Sequence, residues 1–435
     1  VAASVTKDLG GGLVLRSASS DDADALDEFM TEVFLERDGS PDPAVVRWGR
    51  DLVELPHPTF RPELFSIVED TATGEIVSGT CLIPQTWRYG DIPFAVGRPE
   101  LVGVREEYRG RGLMRRHLDV VHRRSDEMGH LAQAITGVPW LYRRFGYEMA
   151  VALGGGRRCP IGAVPDLKDG EREQFTFRPA AGADAGFLAA TYGAAMERYP
   201  VSTLLDEGVW RYLVEGRSPD NVHRRPVEVI ERSGEPVGMV VRAPRGWEGA
   251  LWVTVCELIE GVSWGEAGPA VLRRLRALAS EMEERPWALR FSAADHPLYA
   301  AAPHLLSSVG PGYAWYIRVP DLVGFLGHVT PVLEARLAAG PFRGHTGRVQ
   351  LNLYTSGISF QVSGGALEVG EWTPGHVEDG DVAVPDPLFL RMVFGSSSFE
   401  ELQRVMPDCV PWTPAAVPLL EAMFPKRPAS VMGLA

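Results

Sequence analysis

The chain has 435 residues and a formal net charge of −14, with 43 Lys and Arg against 57 Asp and Glu. That length exceeds one compact core and sets two or three domains as the expectation. The acidity argues against nonspecific nucleic-acid or anionic-membrane binding and suits a cationic substrate, or solubility alone. No apolar run approaches the roughly 20 residues of a membrane span, and residues 1–12 lack the basic and apolar regions of a signal peptide. A cytoplasmic location is expected. Cys81, Cys159, Cys256 and Cys409 are far apart, without zinc spacing or a disulfide framework. The histidines are scattered as well, and no metal is expected.

In chain order, residues 12–16 read as a strand, and Ser20 is placed to cap a helix carrying Leu26, Phe29, Met30, Val33 and Phe34 on one side. Strands at 64–69 and 76–87 flank the turn Asp70-Thr71-Ala72-Thr73-Gly74, and the turn Tyr89-Gly90-Asp91 leads into a strand ending at Val104. A helix follows over 112–128, with Gly129 to end it, then a strand over 130–136. Gly154-Gly155-Gly156 and residues 161–173 read as a domain exit. A second α/β unit repeats this order, with helices at 184–196 and 206–215, a hairpin at 227–232 and 236–242, a strand at 250–258 and a helix at 269–284. From residue 312 the pattern becomes α+β: a strand at 314–319, helix over 322–339, a hairpin at 348–354 and 358–362, then helices at 386–394, 399–405 and 415–424. The expected domains are therefore 1–173, 174–311 and 312–435.

The chemistry concentrates in the first unit. Leu101-Val102-Gly103-Val104 runs into Arg109-Gly110-Arg111-Gly112, and the helix opens at Leu113-Met114. A strand, a glycine turn and a helix N-terminus in this order gather backbone N–H groups around one small volume, which suits a pyrophosphate. Glycines allow close backbone approach, and the arginines attract phosphate. The turn lacks the Lys-Ser/Thr ending of a nucleotide-hydrolase loop. About 30 residues later comes Leu141-Tyr142-Arg143-Arg144-Phe145-Gly146-Tyr147. Tyr142 reads either as a core aromatic or as a proton donor of pKa near ~10. The corresponding stretch of the second unit, 261–268, has no arginine and places Glu266 where phosphate would be repelled. Cys81 falls in a strand, where a buried thiol is expected rather than an acyl carrier.

Residues 102–114 resemble motif A of the GNAT N-acetyltransferase superfamily, whose loop pattern is Arg/Gln-x-x-Gly-x-Gly/Ala; this chain departs at the last place, where Met114 stands. The 141–147 segment is similar to that superfamily's tyrosine segment. The larger plan resembles the Eis-type (enhanced intracellular survival) acetyltransferases: two tandem GNAT-like mixed-sheet domains, the second degenerate, followed by a sterol-carrier-like α+β domain.

That resemblance implies an acetyl-CoA-dependent N-acetyltransferase acting on primary amines of cationic small molecules: aminoglycosides, polyamines or lysine side chains. It implies a cofactor site of Val102, Gly103 and Val104, with the backbone from Arg109 through Gly110, Arg111, Gly112 and Leu113 to Met114 holding the pyrophosphate. Tyr142 falls on the general acid. A C-terminal carboxylate, here of Ala435, falls on the base, and the family's terminus is often aromatic where this one is not. Glu36 is a candidate for an acidic wall around the amine. A homo-oligomer, a hexameric ring, is also implied. The alternative from another class is a lipid- or sterol-binding protein with a vestigial GNAT unit.

Overall fold

A computed structural model describes residues 6–138, 140–309 and 312–434. The first unit contributes β1 (Thr6–Gly10), β2 (Leu13–Ser17), β3 (Phe65–Asp70), β4 (Glu75–Tyr89), β5 (Ile92–Val104), β6 (Ala132–Ile135) and β7 (Glu148–Gly154), with helices α1 (Ala23–Val33), α2 (Pro43–Glu54) and α3 (Leu113–Glu127). Alternation along the strands sends successive side chains to opposite faces. Phe65 and Ile67 enter a core with Leu26, Phe29 and Leu52 under α1 and α2, whereas Val68 and Val77 meet Leu113 and Val120 of α3.

Two helix starts differ from expectation. Ser19, not Ser20, begins the first helical turn, and the Asp22 carboxylate accepts from the Ser19 N–H at 2.8 Å while pairing with Arg16 at 2.6 Å. Helix α2 was not anticipated, although Asp42 caps it through the Ala44 and Val45 amides and Pro43 opens it.

The second unit comprises β8 (Arg157–Pro160), β9 (Phe175–Pro179), α4 (Ala185–Met196), β10 (Val201–Thr203), α5 (Glu207–Arg211), β11 (Val227–Arg232), β12 (Glu235–Arg242), β13 (Ala250–Leu258), α6 (Trp264–Glu281), β14 (Ala288–Phe291), α7 (Pro297–Ala301) and β15 (Ser308–Val309). Helix α6 starts at Trp264 behind its Ser263 cap, five residues before the expected start, and Pro269 lies inside it. The remainder is β16 (Gly312–Arg318), α8 (Leu322–His328), α9 (Thr330–Ala339), β17 (Gly347–Asn352), β18 (Gly357–Ser363), β19 (Ala366–Trp372), β20 (Val382–Ala383), α10 (Leu390–Val393), α11 (Phe399–Val405) and α12 (Val417–Met423).

Three mixed α/β layers result, and the sheets cross the boundaries drawn from sequence. The first sheet runs β1-β2-β3-β4-β5-β6-β16-β7 with β10 also on β4; the second runs β15-β8-β14-β13-β12-β11-β9; the third runs β19-β18-β17-β20. Strand β16, expected to open the third domain, is thus inserted into the first sheet between β6 and β7. Strand β8, expected in the first domain, pairs with β14 and β15 of the second sheet. Both exchanges pair residues well over a hundred positions apart, which no local pattern encodes.

The third unit shares one apolar core with the first. Phe325 of α8 meets Phe94 at 5.3 Å and Tyr89 at 6.0 Å between ring centroids. The Tyr89 hydroxyl donates to the Val393 carbonyl at 2.6 Å and accepts from Arg336 at 2.9 Å. Within the third unit Phe360 and Phe389 both pack on Phe424, so its own side chains fill the space beneath its sheet. Among the described residues no single helix is long and apolar enough to cross a membrane.

Burial also fixes how the fold responds to acid. His117 and His130 are buried, and desolvation holds each imidazole down to about 4. The unfolded chain binds these protons near pH ~6.5. Stability from the neutral rings is therefore complete above that value and is lost as pH falls from ~6.5 toward 4, by up to about 1.4 kcal/mol per pH unit for each ring. Urea midpoints should fall steeply between about pH 7 and pH 5, and less steeply in His130→Gln; a flat dependence in the parent chain would contradict this.

Candidate functional site

The site begins with an irregularity between β4 and β5. Their register shifts between Gly79 and Cys81, opposite Gly103 and Glu100. Leu101 takes a left-handed conformation at φ 52°, which costs a residue with a Cβ about 1 kcal/mol. The cost is borne because the Leu101 side chain is buried in the core containing Met30 and Trp48. Beyond this bulge the Arg105 N–H donates to the Val77 carbonyl at 2.9 Å. In an antiparallel ladder inward and outward amides alternate, so Gly103 faces Gly79 and the amides of Val102 and Val104 turn to the opposite edge. That edge is open: β5 pairs with β6 only at Val96 and Gly97, and the strands have no further ladder from Arg98 onward. Gly103 serves packing, because a Cβ there would lie 2.7 Å from Val33 and 3.1 Å from Phe29 of α1.

The glycine turn completes the volume. Gly110 and Gly112 both have φ 77°, with nothing within 4 Å of a Cβ built at either. Gly112 is the N-cap of α3, and the first backbone bond to it comes from the Arg116 N–H. The amides of Leu113, Met114 and Arg115 consequently have no intrahelical acceptor and point out of the helix start. Arg109 and Arg111 are exposed. The Arg111 guanidinium stacks on Tyr108 at 4.6 Å, and the Tyr108 hydroxyl donates to Asp70 at 2.7 Å, which ties the turn to the end of β3. The residues present fit a pyrophosphate: unpaired amides, two open glycines and two exposed guanidiniums.

Tyr142 starts a short helical turn closed by Gly146 at φ 82°. It lies in one cluster with Ile135, Tyr147, Tyr316 and, packed against these, Val102. The tyrosine and the open edge of β5 thus meet, as do α3 and the tyrosine segment through Arg115, which sits over Phe145 at 5.3 Å. Tyr142 is 3% exposed, yet no described residue is hydrogen bonded to its hydroxyl. Burial raises its phenol above the ordinary value, with Glu100, Tyr313 and Tyr316 adding to the shift. Tyr147 behaves differently; its hydroxyl is bonded to His122 Nε2 at 2.9 Å. Cys81 is fully buried in β4, and burial pushes its thiol well above the usual range.

Between the first and second units lies a cavity of about 1360 Å³ whose walls include β7, β13, β16 and residues 429–432. Tyr142 and the glycine turn stand outside its wall. Tyr313 connects them: it lines the cavity, and its hydroxyl donates to the Gly137 carbonyl at 3.0 Å. A Cβ on Gly137 would lie 4.0 Å from the Tyr142 hydroxyl.

The C-terminal segment runs into this region. Ser430 bridges Ser202 of β10, and the Leu434 carbonyl accepts from Gln85 Nε2 at 2.7 Å and Arg98 Nη1 at 2.8 Å. Gly433 fits where a Cβ would lie 2.5 Å from Trp315. Ala435, the expected base, lies outside the described residues. Glu36 is half exposed and faces Arg245 of the second unit at 4.0 Å. In the second unit, Glu266 falls in the first turn of α6 and pairs with Arg232 at 3.0 Å. No group of three or more His, Cys, Asp and Glu able to hold a metal occurs among the described residues. Sequence reasoning had missed Gln85, Arg98 and Tyr313. Only their approach to the site through distant pairings marks them.

Residues 14–150 match the family described as an acetyltransferase (GNAT) domain. No match was found among curated proteins. Solved structures resemble the whole chain. A GCN5-related N-acetyltransferase from Kribbella flavida aligns with TM-score 0.64 and 18% identity over 97% of this chain and 98% of its own. One from Anabaena variabilis gives 0.64 and 16% over 96% and 98%. Eis1 from Mycobacterium abscessus gives 0.59 and 16% over 97% and 99%. At such identities these likenesses establish the fold, a GNAT-like mixed α/β architecture.

The glycine turn yields a direct expectation. Gly110→Ala or Gly112→Ala forces a side-chain-bearing residue to positive φ at a cost of about 1–2 kcal/mol. The turn should relax away from its present shape. Acetyl-CoA affinity measured by calorimetry should fall about tenfold, with the urea midpoint nearly unchanged; undiminished affinity would contradict the assignment.

Proposed function

We propose, for a chain that carries a GNAT acetyltransferase domain over residues 14–150, that this acyltransferase is an acetyl-CoA-dependent N-acetyltransferase of the Eis type. The observation that carries the reading is the packing of Val102, on the open β5 edge, into one cluster with Tyr142, whose hydroxyl no described residue bonds. Acetyl-CoA supplies an activated acyl group as a thioester, whose carbonyl carbon a neutral amine attacks; the N–C bond forms and the C–S bond breaks.

The outward amides of Val102 and Val104 hold the pantetheine arm along β5 and stabilise charge developing on the carbonyl oxygen. The amides from Gly110 to Met114 fix the pyrophosphate, the Arg109 N–H being taken by the Glu106 carbonyl at 3.1 Å, so much of the rate comes from placing the two reactants together. Tyr142 donates its proton to the departing sulfur. Its raised pKa keeps it protonated throughout the neutral range. The same low-polarity surroundings raise the basicity of the thiolate, so donor and acceptor remain matched. The proton lost by the amine leaves through solvent, or to the carboxylate assigned to Ala435. What supports seating the tail here is the pair of bonds from Gln85 and Arg98 to the preceding carbonyl.

The acceptors that accompany this reading are primary amines of aminoglycosides, polyamines or lysine side chains, and the assembly is a hexamer. Full-length likeness to Eis1 from Mycobacterium abscessus supports the three-part plan, including the sterol-carrier-like third part.

Tyr142→Phe should lower kcat about 100-fold, within the usual contribution of a general acid, and leave acetyl-CoA affinity within about twofold. Thiol release followed with a panel of amines gives the first number and calorimetry the second. Loss of cofactor binding in this variant would show that Tyr142 supports the pocket instead.

A further inference from the structure

The cavity between the units carries a charge pattern that cationic acceptors do not explain. Its wall includes four carboxylates, Asp42, Asp220, Glu248 and Glu257, and four guanidiniums, Arg47, Arg225, Arg245 and Arg290. There is no excess of acid. Most of these groups are already engaged. Asp42 caps α2, Glu257 pairs with Arg198, Arg47 pairs with Asp51 at 2.9 Å, Arg245 faces Glu36 at 4.0 Å, and Arg290 reaches Glu248 at 3.7 Å while lying 3.8 Å over the Trp252 ring. Asp220 is exposed.

Arg225 differs from the other three guanidiniums. No described carboxylate, carbonyl or aromatic ring engages its side chain, although burial is heavy enough to lower its pKa. Arg225 is part-buried and lines the cavity, so its donors are free to pair with an anion that enters there. His223 nearby is held neutral, well below its ordinary value, first by burial and then by Arg98, Arg217 and Arg225. The loop bearing Arg225 is fixed rather than loose. Ser218 N–H and the Asn221 side chain donate to Asp51 of α2 at 2.9 Å and 2.8 Å, and the His223 ring packs edge-on to Trp48 at 4.3 Å. The cavity lining also carries aromatic rings: Trp247, 55% exposed, lies 5.4 Å from Trp252 between ring centroids.

We infer that Arg225 is a carboxylate-binding residue of the acceptor site, and that the acceptor is an amine bearing a carboxylate and an apolar or aromatic body, amino-acid-like rather than polycationic. This inference rests on the acyltransferase reading and departs from the polycationic acceptors that accompany it. A planar guanidinium with free donors matches a carboxylate in two parallel hydrogen bonds. The Trp247–Trp252 pair receives the body of the molecule.

The test compares the parent chain with Arg225→Gln and Arg225→Lys, using phenylalanine, phenylalaninamide and spermidine as acceptors and N-acetylphenylalanine as a product ligand. The expected result is that the parent prefers phenylalanine to phenylalaninamide in kcat/KM, and that Arg225→Gln cuts this ratio about tenfold or more, the size of one charge-assisted pair. Arg225→Lys should retain part of the ratio. Calorimetry should show N-acetylphenylalanine binding weakened about tenfold in Arg225→Gln, with acetyl-CoA binding unchanged. A ratio that Arg225→Gln leaves unaltered, or spermidine as the preferred acceptor, would overturn the inference while leaving acetyl transfer intact. Absence of thiol release with every amine, together with absence of acetyl-CoA binding, would overturn the acyltransferase reading itself.

Discussion

The hairpin of β4 and β5 is the constraint on which the rest of the molecule depends. Fifteen and thirteen residues long, its strands outrun their neighbours at both ends. At one end the Leu101 bulge turns the Val102 and Val104 amides outward to the open edge. At the other, β10 of the second unit pairs with Trp87, Arg88 and Tyr89 on the side that β3 has already left. The tail adds a further bridge outside β10, and Tyr89 joins the third unit through Val393. One continuous pair of strands therefore sets the distances between the cofactor edge, the large cavity and the C-terminal segment. Such a backbone link positions a site more precisely than loops do.

Burial supplies the chemistry. The same desolvation that keeps Tyr142 protonated keeps His223 neutral. Asp51 illustrates the opposite case: it is buried, but donors from Arg47, Ser218 and Asn221 surround it, so its charge is satisfied and serves to lock the second unit onto α2. Satisfied charges of this kind assemble the molecule, and unsatisfied ones mark where another molecule binds.

The sequence made the first unit legible wherever neighbouring residues decide the structure. Gly110 and Gly112 could be assigned to a tight turn because positive φ favours glycine, and the alternation of β3 and the spacing of α3 carried their own periods. Helix α2 went unread although Asp42-Pro43 is a helix start. Pro269 misled in the other direction, because it lies inside α6 rather than at its beginning. The exchange of β8 and β16 between sheets had no local trace. Nor did the bulge, since a leucine carries no mark of left-handed backbone. Arg225 was invisible for a different reason: its meaning lies in the partners it lacks, and a missing partner is a property of the fold alone.

Amide hydrogen exchange with and without acetyl-CoA tests the central claim most directly, that the cofactor lies along the β5 edge and over the α3 start. The account predicts new protection confined to peptides covering residues 98–104 and 110–116, with the core of the third unit unchanged. Protection that appears instead around β13 and the turn before α6, or nowhere in the first unit, would contradict it.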